Sequence, residues 1–384
     1  MSNYPIYLDN NATTVGADEV VQAMLPYFSN HYGNASSASH LFGWKAKEAV
    51  DEARGQIAQS IGAKETEIIF TSGATESINL ALKGFYFANK HIGNHIITQK
   101  TEHKAVLETC EFLASQGAEI TYLDVLPNGI IDIDQLHKSL KKTTILCAIM
   151  FANNETGVLQ PISEIASLLK QNNTVFFCDA VQAFGKTSID VTNLGIDMLC
   201  LSAHKFHGPK GIGILYVRKS KPAITLFSQM LGGTQERNLR SGTLNVPAIV
   251  GMGKAAELAI QFLQSATFNT LSDLRNELET EILQLENITL NGGSNVRLPH
   301  VCNVQFKKCI GEELLSKINQ KVAVSNGSAC SSIIQKPSHV LISMGVSEEN
   351  ALSSVRFSLS RFTTKQEIKE VILHIKSVYK SIYT

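Results

Sequence analysis

The sequence holds little that would mark a special environment. It has no net charge, since 34 Lys and Arg balance 34 Asp and Glu. Without a one-signed field there is no electrostatic reason for nucleic acid or an anionic membrane to be the main ligand. Long apolar runs are missing: none reaches eighteen residues, so no membrane span is expected. The start, Met-Ser-Asn-Tyr-Pro-Ile-Tyr, lacks the basic and then apolar pattern of a secretory signal, and the expected compartment is the cytoplasm. Cysteine is sparse and odd in number, seven in all, with no C-x-x-C pair. That argues against a disulfide framework and against a structural zinc site. Nucleotide loops are lacking too. Residues 180–187 end in Gly185-Lys186-Thr187, but Ala180 stands where a Walker A loop needs its first glycine. The glycines of 208–213 lead into a strand, so they form no dinucleotide fingerprint.

What is present is a globular chain, 44% hydrophobic and 18% charged. Its 384 residues exceed one ordinary core. Short apolar runs at 68–70, 95–98, 120–123, 145–151, 175–178, 198–201 and 212–217 read as strands. Helix patterns begin between them near Thr75, Lys104, Ile133 and Ile162. Strands that are apolar throughout and alternate with helices predict a mostly parallel α/β sheet of the seven-stranded type, covered on both faces. Beyond Gly253 the pattern changes. A long helical stretch, 254–285, precedes strands at 300–306 and 355–359, a helix over 312–319, and a final helix capped by Thr364 and Glu367. The expected organisation is a large domain over 16–253 and a smaller α+β domain from 1–15 and 254–384. The N-terminal strand, 6–8, is a candidate to join the smaller one.

The chemistry centres on Lys205, which follows the apolar run 198–201 and precedes a turn-rich segment. An amine at the C-terminal end of a core strand faces the crevice where open α/β sheets bind ligands. Partly desolvated, it can lose its proton and form a Schiff base. Asp179 ends the apolar run 175–178, and its 26-residue spacing to Lys205 is that of one further helix and strand. Two neighbouring strand ends would then offer a carboxylate to a pyridinium nitrogen and an amine to an aldehyde, the pyridoxal phosphate arrangement. Thr71-Ser72-Gly73-Ala74-Thr75-Glu76-Ser77 lies between a strand and a helix, where free backbone N–H groups can hold a phosphate, although it would also serve as a plain N-cap. His103 follows another strand end and could stack on the ring; Gln182 and Asn154 could reach its oxygen. Cys147, Cys178 and Cys200 sit in apolar runs and read as inert thiols. Cys330 differs, being set among small polar residues that read as a loop.

Together, several motifs resemble the cysteine desulfurases of the NifS/IscS type, fold-type-I pyridoxal phosphate enzymes in the class V aminotransferase group. They are Tyr7-Leu8-Asp9-Asn10-Asn11-Ala12-Thr13-Thr14, Ser72-Gly73-Ala74-Thr75-Glu76-Ser77, Thr101-Glu102-His103 and Asn153-Asn154-Glu155 in the first half. The second half adds Asp179-Ala180-Val181-Gln182, Ser202-Ala203-His204-Lys205, Arg240-Ser241-Gly242-Thr243 and Gly327-Ser328-Ala329-Cys330. The resemblance implies Lys205 as the Schiff-base lysine, Asp179 as partner of the pyridine nitrogen and His103 as the stacking ring. It implies Ala74, Thr75, Ser202 and His204 as phosphate ligands, with Gln182 and Asn154 at the ring oxygen or substrate. Thr243 matches a position that reaches the cofactor phosphate of the other subunit, which implies a homodimer. Arg356 matches the arginine that binds the substrate carboxylate, and Cys330 matches the sulfur-accepting cysteine.

The implied reaction turns L-cysteine into L-alanine with a persulfide on Cys330. Its sulfur would pass to an iron–sulfur scaffold or another thiolation acceptor. No fixed metal site is implied; an iron–sulfur contact at Cys330 would be transient and shared. Selenocysteine lyase, cysteine-sulfinate lyase and aminotransferase are the alternatives on this fold, and a silent scaffold protein the alternative outside enzymes. The chain departs from the pattern in Val15, where many relatives carry proline. It ends at Thr384, where better-known housekeeping members run further, so the acceptor stays open.

Overall fold

The computed structural model describes residues 4–220, 222–293, 296–326 and 336–383. Its described strands are β1 (Ile6–Tyr7), β2 (Ile68–Thr71), β3 (His95–Gln99), β4 (Glu119–Leu123), β5 (Thr144–Ala148), β6 (Val175–Asp179), β7 (Met198–Ser202), β8 (Gly213–Val217), β9 (Ile288–Leu290), β10 (Val301–Phe306), β11 (Val322–Ala323) and β12 (Ser354–Ser358).

Seven of them form one sheet in the order β2-β8-β7-β6-β5-β3-β4, parallel except for β8, which runs against both neighbours. Strand side chains alternate between faces, so each apolar run feeds two cores. Phe176, Cys178, Leu199 and Leu201 pack with helices Leu41–Ser60 and Val246–Leu263 on one face. Phe177, Met198 and Cys200 pack with helices Ala74–Asn89 and Lys104–Ser115 on the other. Double burial is why these strands read as unbroken apolar runs.

A smaller antiparallel sheet, β12-β10-β9, packs against helices Thr267–Leu283 and Lys365–Tyr383 around a second core that includes Leu8, Phe306 and Phe357. The N-terminal strand lies beside it: β1 and β11 form a separate two-stranded parallel sheet, and Ser358 N donates to Leu8 O at 2.7 Å. The final helix carries the expected capping box, with Thr364 N donating to Glu367 Oε2 at 2.7 Å and Glu367 N to Thr364 Oγ1 at 3.2 Å.

Three expectations need correction. Residues 180–197 form turns and no helix, so the crossover from β6 to β7 is a loop organised in part by Asp190, whose Oδ1 accepts from Thr192 and Asn193 N–H. The stretch 254–285 is two helices, Val246–Leu263 and Thr267–Leu283. Between them the Ser265 hydroxyl donates back to Phe262 O at 2.7 Å, the local side-chain bond that competes with helix propagation. A domain boundary at 253/254 would therefore cut an intact helix. Gly253 is not a stop but a contact: a Cβ there would lie 2.8 Å from Ala53 Cα on helix Leu41–Ser60. The helix Val246–Leu263 is long and apolar enough to cross a membrane, and half of it is buried inside the fold.

Candidate active site

The C-terminal ends of β2, β3, β5, β6 and β7 open on one cavity of about 640 Å³. Its lining brings together Ala74, Thr75, His103, Asn154, Asp179, Gln182, Ser202, His204, Lys205 and Arg356, ten of the residues singled out above. Thr243 is exposed and outside that lining, and Cys330 lies outside the described residues.

Lys205 ends a 3₁₀ turn, Ala203–Lys205, directly after β7. Its Nζ donates to Asn11 O at 2.6 Å and Ala12 O at 2.8 Å, carbonyls of the N-terminal motif. Burial pushes its pKa down to about 8, and the Arg356 charge adds to that, against Asp179 and Asp9. At pH 7 about a tenth of such an amine is unprotonated, far more than of an ordinary lysine. Asp179 closes β6, with Oδ1 accepting from Val181 N–H at 3.0 Å. Burial raises its carboxyl, opposed by that N–H and by His103 and Lys205. A buried carboxylate with so few donors is suited to a cationic partner.

His103 caps helix Lys104–Ser115, its Nδ1 accepting from Ala105 N–H at 3.1 Å. Burial lowers its pKa, and a neutral ring accepting at Nδ1 carries its proton on Nε2. His204 bonds Thr13 Oγ1 at 3.1 Å, and burial beside Lys205 holds its pKa down to about 4. The start of helix Ala74–Asn89 has no side-chain cap, so its first N–H groups remain for an anion. Arg356, in the middle of β12, is pinned by Asp9 Oδ1 at 2.6 Å and Asn154 O at 3.0 Å, while its buried Nε has no partner. It is thus both an ion-paired strand arginine and a wall of the pocket.

Several residues with no role assigned from sequence complete the site. Asn11 takes Lys205 Nζ and Gln182 Nε2 on its carbonyl, the latter at 3.0 Å, and donates through Nδ2 to Asn154 O at 2.9 Å. Glu102, fully enclosed behind Asp179, is raised well above the carboxylate range by burial and by that neighbour. His339 lines the pocket and donates from Nε2 to Glu102 O at 3.0 Å. Asn11 and Glu102 lie inside the quoted motifs; His339 has no local signal.

These residues fit pyridoxal phosphate on the structure's own terms. An uncapped helix start suits its phosphate, a buried acid its ring nitrogen, a buried low-pKa amine its aldehyde, and the unpartnered Gln182 Oε1 leaves an acceptor at the same rim.

The family model for aminotransferase class-V matches residues 6–371, and the chain belongs to that family, among its cysteine desulfurases. The family's cofactor is pyridoxal phosphate. In particular, the chain is 49% identical over 369 residues to the cysteine desulfurase IscS of Anaeromyxobacter dehalogenans, covering 96% of this chain and 91% of that one. It is 46% identical over 381 residues to the cysteine desulfurase IscS of Buchnera aphidicola subsp. Schizaphis graminum, covering 99% and 93%. Among solved structures, a NifS-like protein superposes with a TM-score of 0.91 at 36% identity, covering 98% of this chain and all of that one. A structure of SspA in complex with cysteine gives 0.83 at 39%, covering 94% and 100%.

Proposed function

We propose that this chain takes sulfur from L-cysteine, leaves L-alanine, and carries the sulfur as a persulfide on Cys330. The observation that carries the reading is the convergence of the Lys205 amine, Asp179, Arg356 and an uncapped helix start on one pocket. Pyridoxal phosphate supplies an electron sink for the carbon that bears the substrate's amino group. Ala74, Thr75, Ser202 and His204 would hold its phosphate, Asp179 its ring nitrogen, Gln182 and Asn154 its ring oxygen, and His103 its face. Arg356 anchors the substrate carboxylate by charge-assisted bonds. Lys205 Nζ, its pKa lowered by burial, takes the proton from the substrate's α carbon. His103 Nε2 exchanges a proton with a thiol. The Cys330 thiolate forms an S–S bond to the substrate sulfur as the C–S bond breaks, and the electron pair stays with carbon.

The role of Cys330 in this scheme rests on its family motif, Gly327-Ser328-Ala329-Cys330. Ser325 O accepts from Arg356 N at 2.7 Å, and His339, on the other side, lines the pocket. Thr243, exposed in one chain, goes with a homodimer in which it serves the partner's cofactor. The surface run of Phe28, Tyr32, Leu41, Phe42 and Trp44, each at least 49% exposed, goes with the same assembly. The six described cysteines are all free, which accords with a reducing, cytoplasmic setting. An iron–sulfur scaffold or another thiolation protein would take the sulfur.

The deciding experiment is single-turnover analysis of purified Cys330→Ser. Cofactor colour is expected to persist while protein persulfide and alanine both vanish. A variant that still forms alanine at the wild-type rate removes Cys330 from the reaction.

A further inference from the structure

The Gly185-Lys186-Thr187 stretch, set aside above as an incomplete phosphate loop, turns its lysine towards the active-site lysine. Lys186 is largely enclosed, and its Nζ donates to the backbone carbonyl of Lys205 at 2.8 Å. The N–H groups around that carbonyl are committed elsewhere. Phe206 N and Gly208 N both donate to Ala203 O, and His207 N donates to Thr14 Oγ1. Lys186 is the donor that answers the last carbonyl of a 3₁₀ turn, where an unanswered buried group is costly.

A second set of bonds reaches the same amine from the rear. His300 Nε2 donates to Asn11 Oδ1 at 2.7 Å, an orientation fixed by the Asn11 Nδ2 bond to Asn154 O. The Asn11 carbonyl in turn holds Lys205 Nζ. His300 Nδ1 is buried without a partner. Between the two routes lies a small cavity of about 30 Å³. Its titratable lining is Lys186, Lys205, His207, His300 and Arg361, with no carboxylate among the described lining residues. Of the carboxylates that act on Lys205, Asp179 lines the main pocket with Arg356, His103 and His204, and Asp9 is bonded to Arg356.

We propose that Lys186 is a positioning residue for Lys205: from behind the sheet end its amine donates to the Lys205 carbonyl and so fixes the turn that presents the reactive amine. This rests on Lys205 acting as proposed above. Burial and the neighbouring Lys205 charge bring Lys186 itself down to about 7, so it has largely lost its proton where Lys205 titrates and acts there as a neutral donor. Holding the turn matters because a reacting group displaced by about 1 Å can lose about two orders of magnitude in rate.

The test compares wild type with Lys186→Met and Lys186→Gln in three measurements. These are kcat and KM for cysteine, the pH titration of the bound cofactor's absorbance, and the pH dependence of acylation of Lys205 in the cofactor-free full chain, read by peptide mass spectrometry. Lys186→Met is expected to lower kcat about 10- to 100-fold with KM within about threefold. Both titration midpoints should stay close to wild type, because Lys186 has mostly lost its proton before Lys205 titrates, while the acylation rate of Lys205 on its high-pH plateau should fall. Lys186→Gln keeps a donor without the charge; it should retain most of kcat and of the plateau acylation rate. A Lys186→Met chain with wild-type kcat and wild-type plateau acylation overturns the proposal, as does one that is merely less heat-stable. If Lys186→Met does not fold, a folded Lys186→Gln that loses kcat by more than about tenfold overturns it equally. A wild type that binds no cofactor would sink the functional reading instead, and the plateau acylation rates would still decide on Lys186.

Discussion

The pocket has two walls of different make. One is the end of the large sheet, where the helix start at Ala74, His103, Asp179, Ser202 and Lys205 each come at or just after the end of a parallel strand. The other belongs to the smaller sheet and to the N-terminal segment that threads into it, and its charged groups are Arg356 in mid-strand and Asp9 beside it. The first wall repeats one geometric device, the strand terminus, and so collects many unlike groups around one point. The second supplies one cation held by one carboxylate. Chemistry and anchoring are thereby separated, and damage to each wall should look different in kinetics.

The largest expected effect lies on the first wall. Lys205→Ala removes both the amine for the cofactor aldehyde and the base for the substrate proton. Turnover should fall by at least about 10³-fold, and the holoenzyme's absorbance band should change. Retained turnover would mean that the strand-end device is not the reaction centre. Arg356→Ala comes next, with KM for cysteine up by about 10- to 100-fold and a smaller change in kcat, the signature of lost ground-state and transition-state binding alike. Should kcat fall with KM unmoved, the two walls are not separate in function. A smaller effect is the pH dependence of cofactor uptake. Because Lys205 is brought down to about 8, only its unprotonated fraction below that pH can react, so the uptake rate of the cofactor-free chain should climb about tenfold per pH unit and level off above it. A plateau already reached at pH 6 would contradict the depressed value.

The first wall was the legible one. Strands buried on both faces write themselves as apolar runs, and the helix starts at Lys104, Ile133 and Ile162 fell where the polar-to-apolar change put them. Asp179 and Lys205 could be paired from spacing, even though the intervening loop holds no helix, because adjacency of β6 and β7 needs only a crossover. The second wall was harder. Strands of two or three residues, such as β9 and β11, carry too little pattern to stand out, and the pairing of β1 with β11 joins residues more than 300 positions apart. The same holds for Asn11, His300, His339 and Lys186, whose roles rest on contacts that no local spacing encodes. Arg356 was placed only through its family motif.

The crossing of two cover helices behind the large sheet offers the finest test. Helices Leu41–Ser60 and Val246–Leu263 meet with Gly253 against Ala53, where an added Cβ would reach backbone at 2.8 Å. Gly55, on the first of these helices, would place its Cβ 3.2 Å from the far end of the Glu65 side chain, which can swing aside. Both glycines are helical, so alanine gains about 1 kcal/mol of propensity at either. At Gly253 overpacking should outweigh that gain by costing about 1–3 kcal/mol, because two packed helices must separate. Gly55→Ala is thus expected to raise the urea midpoint and Gly253→Ala to lower it, with kcat unchanged in both, since neither residue lines the pocket. Midpoints that rise together would show that the crossing is loose and that residue 253 does end one packed layer after all.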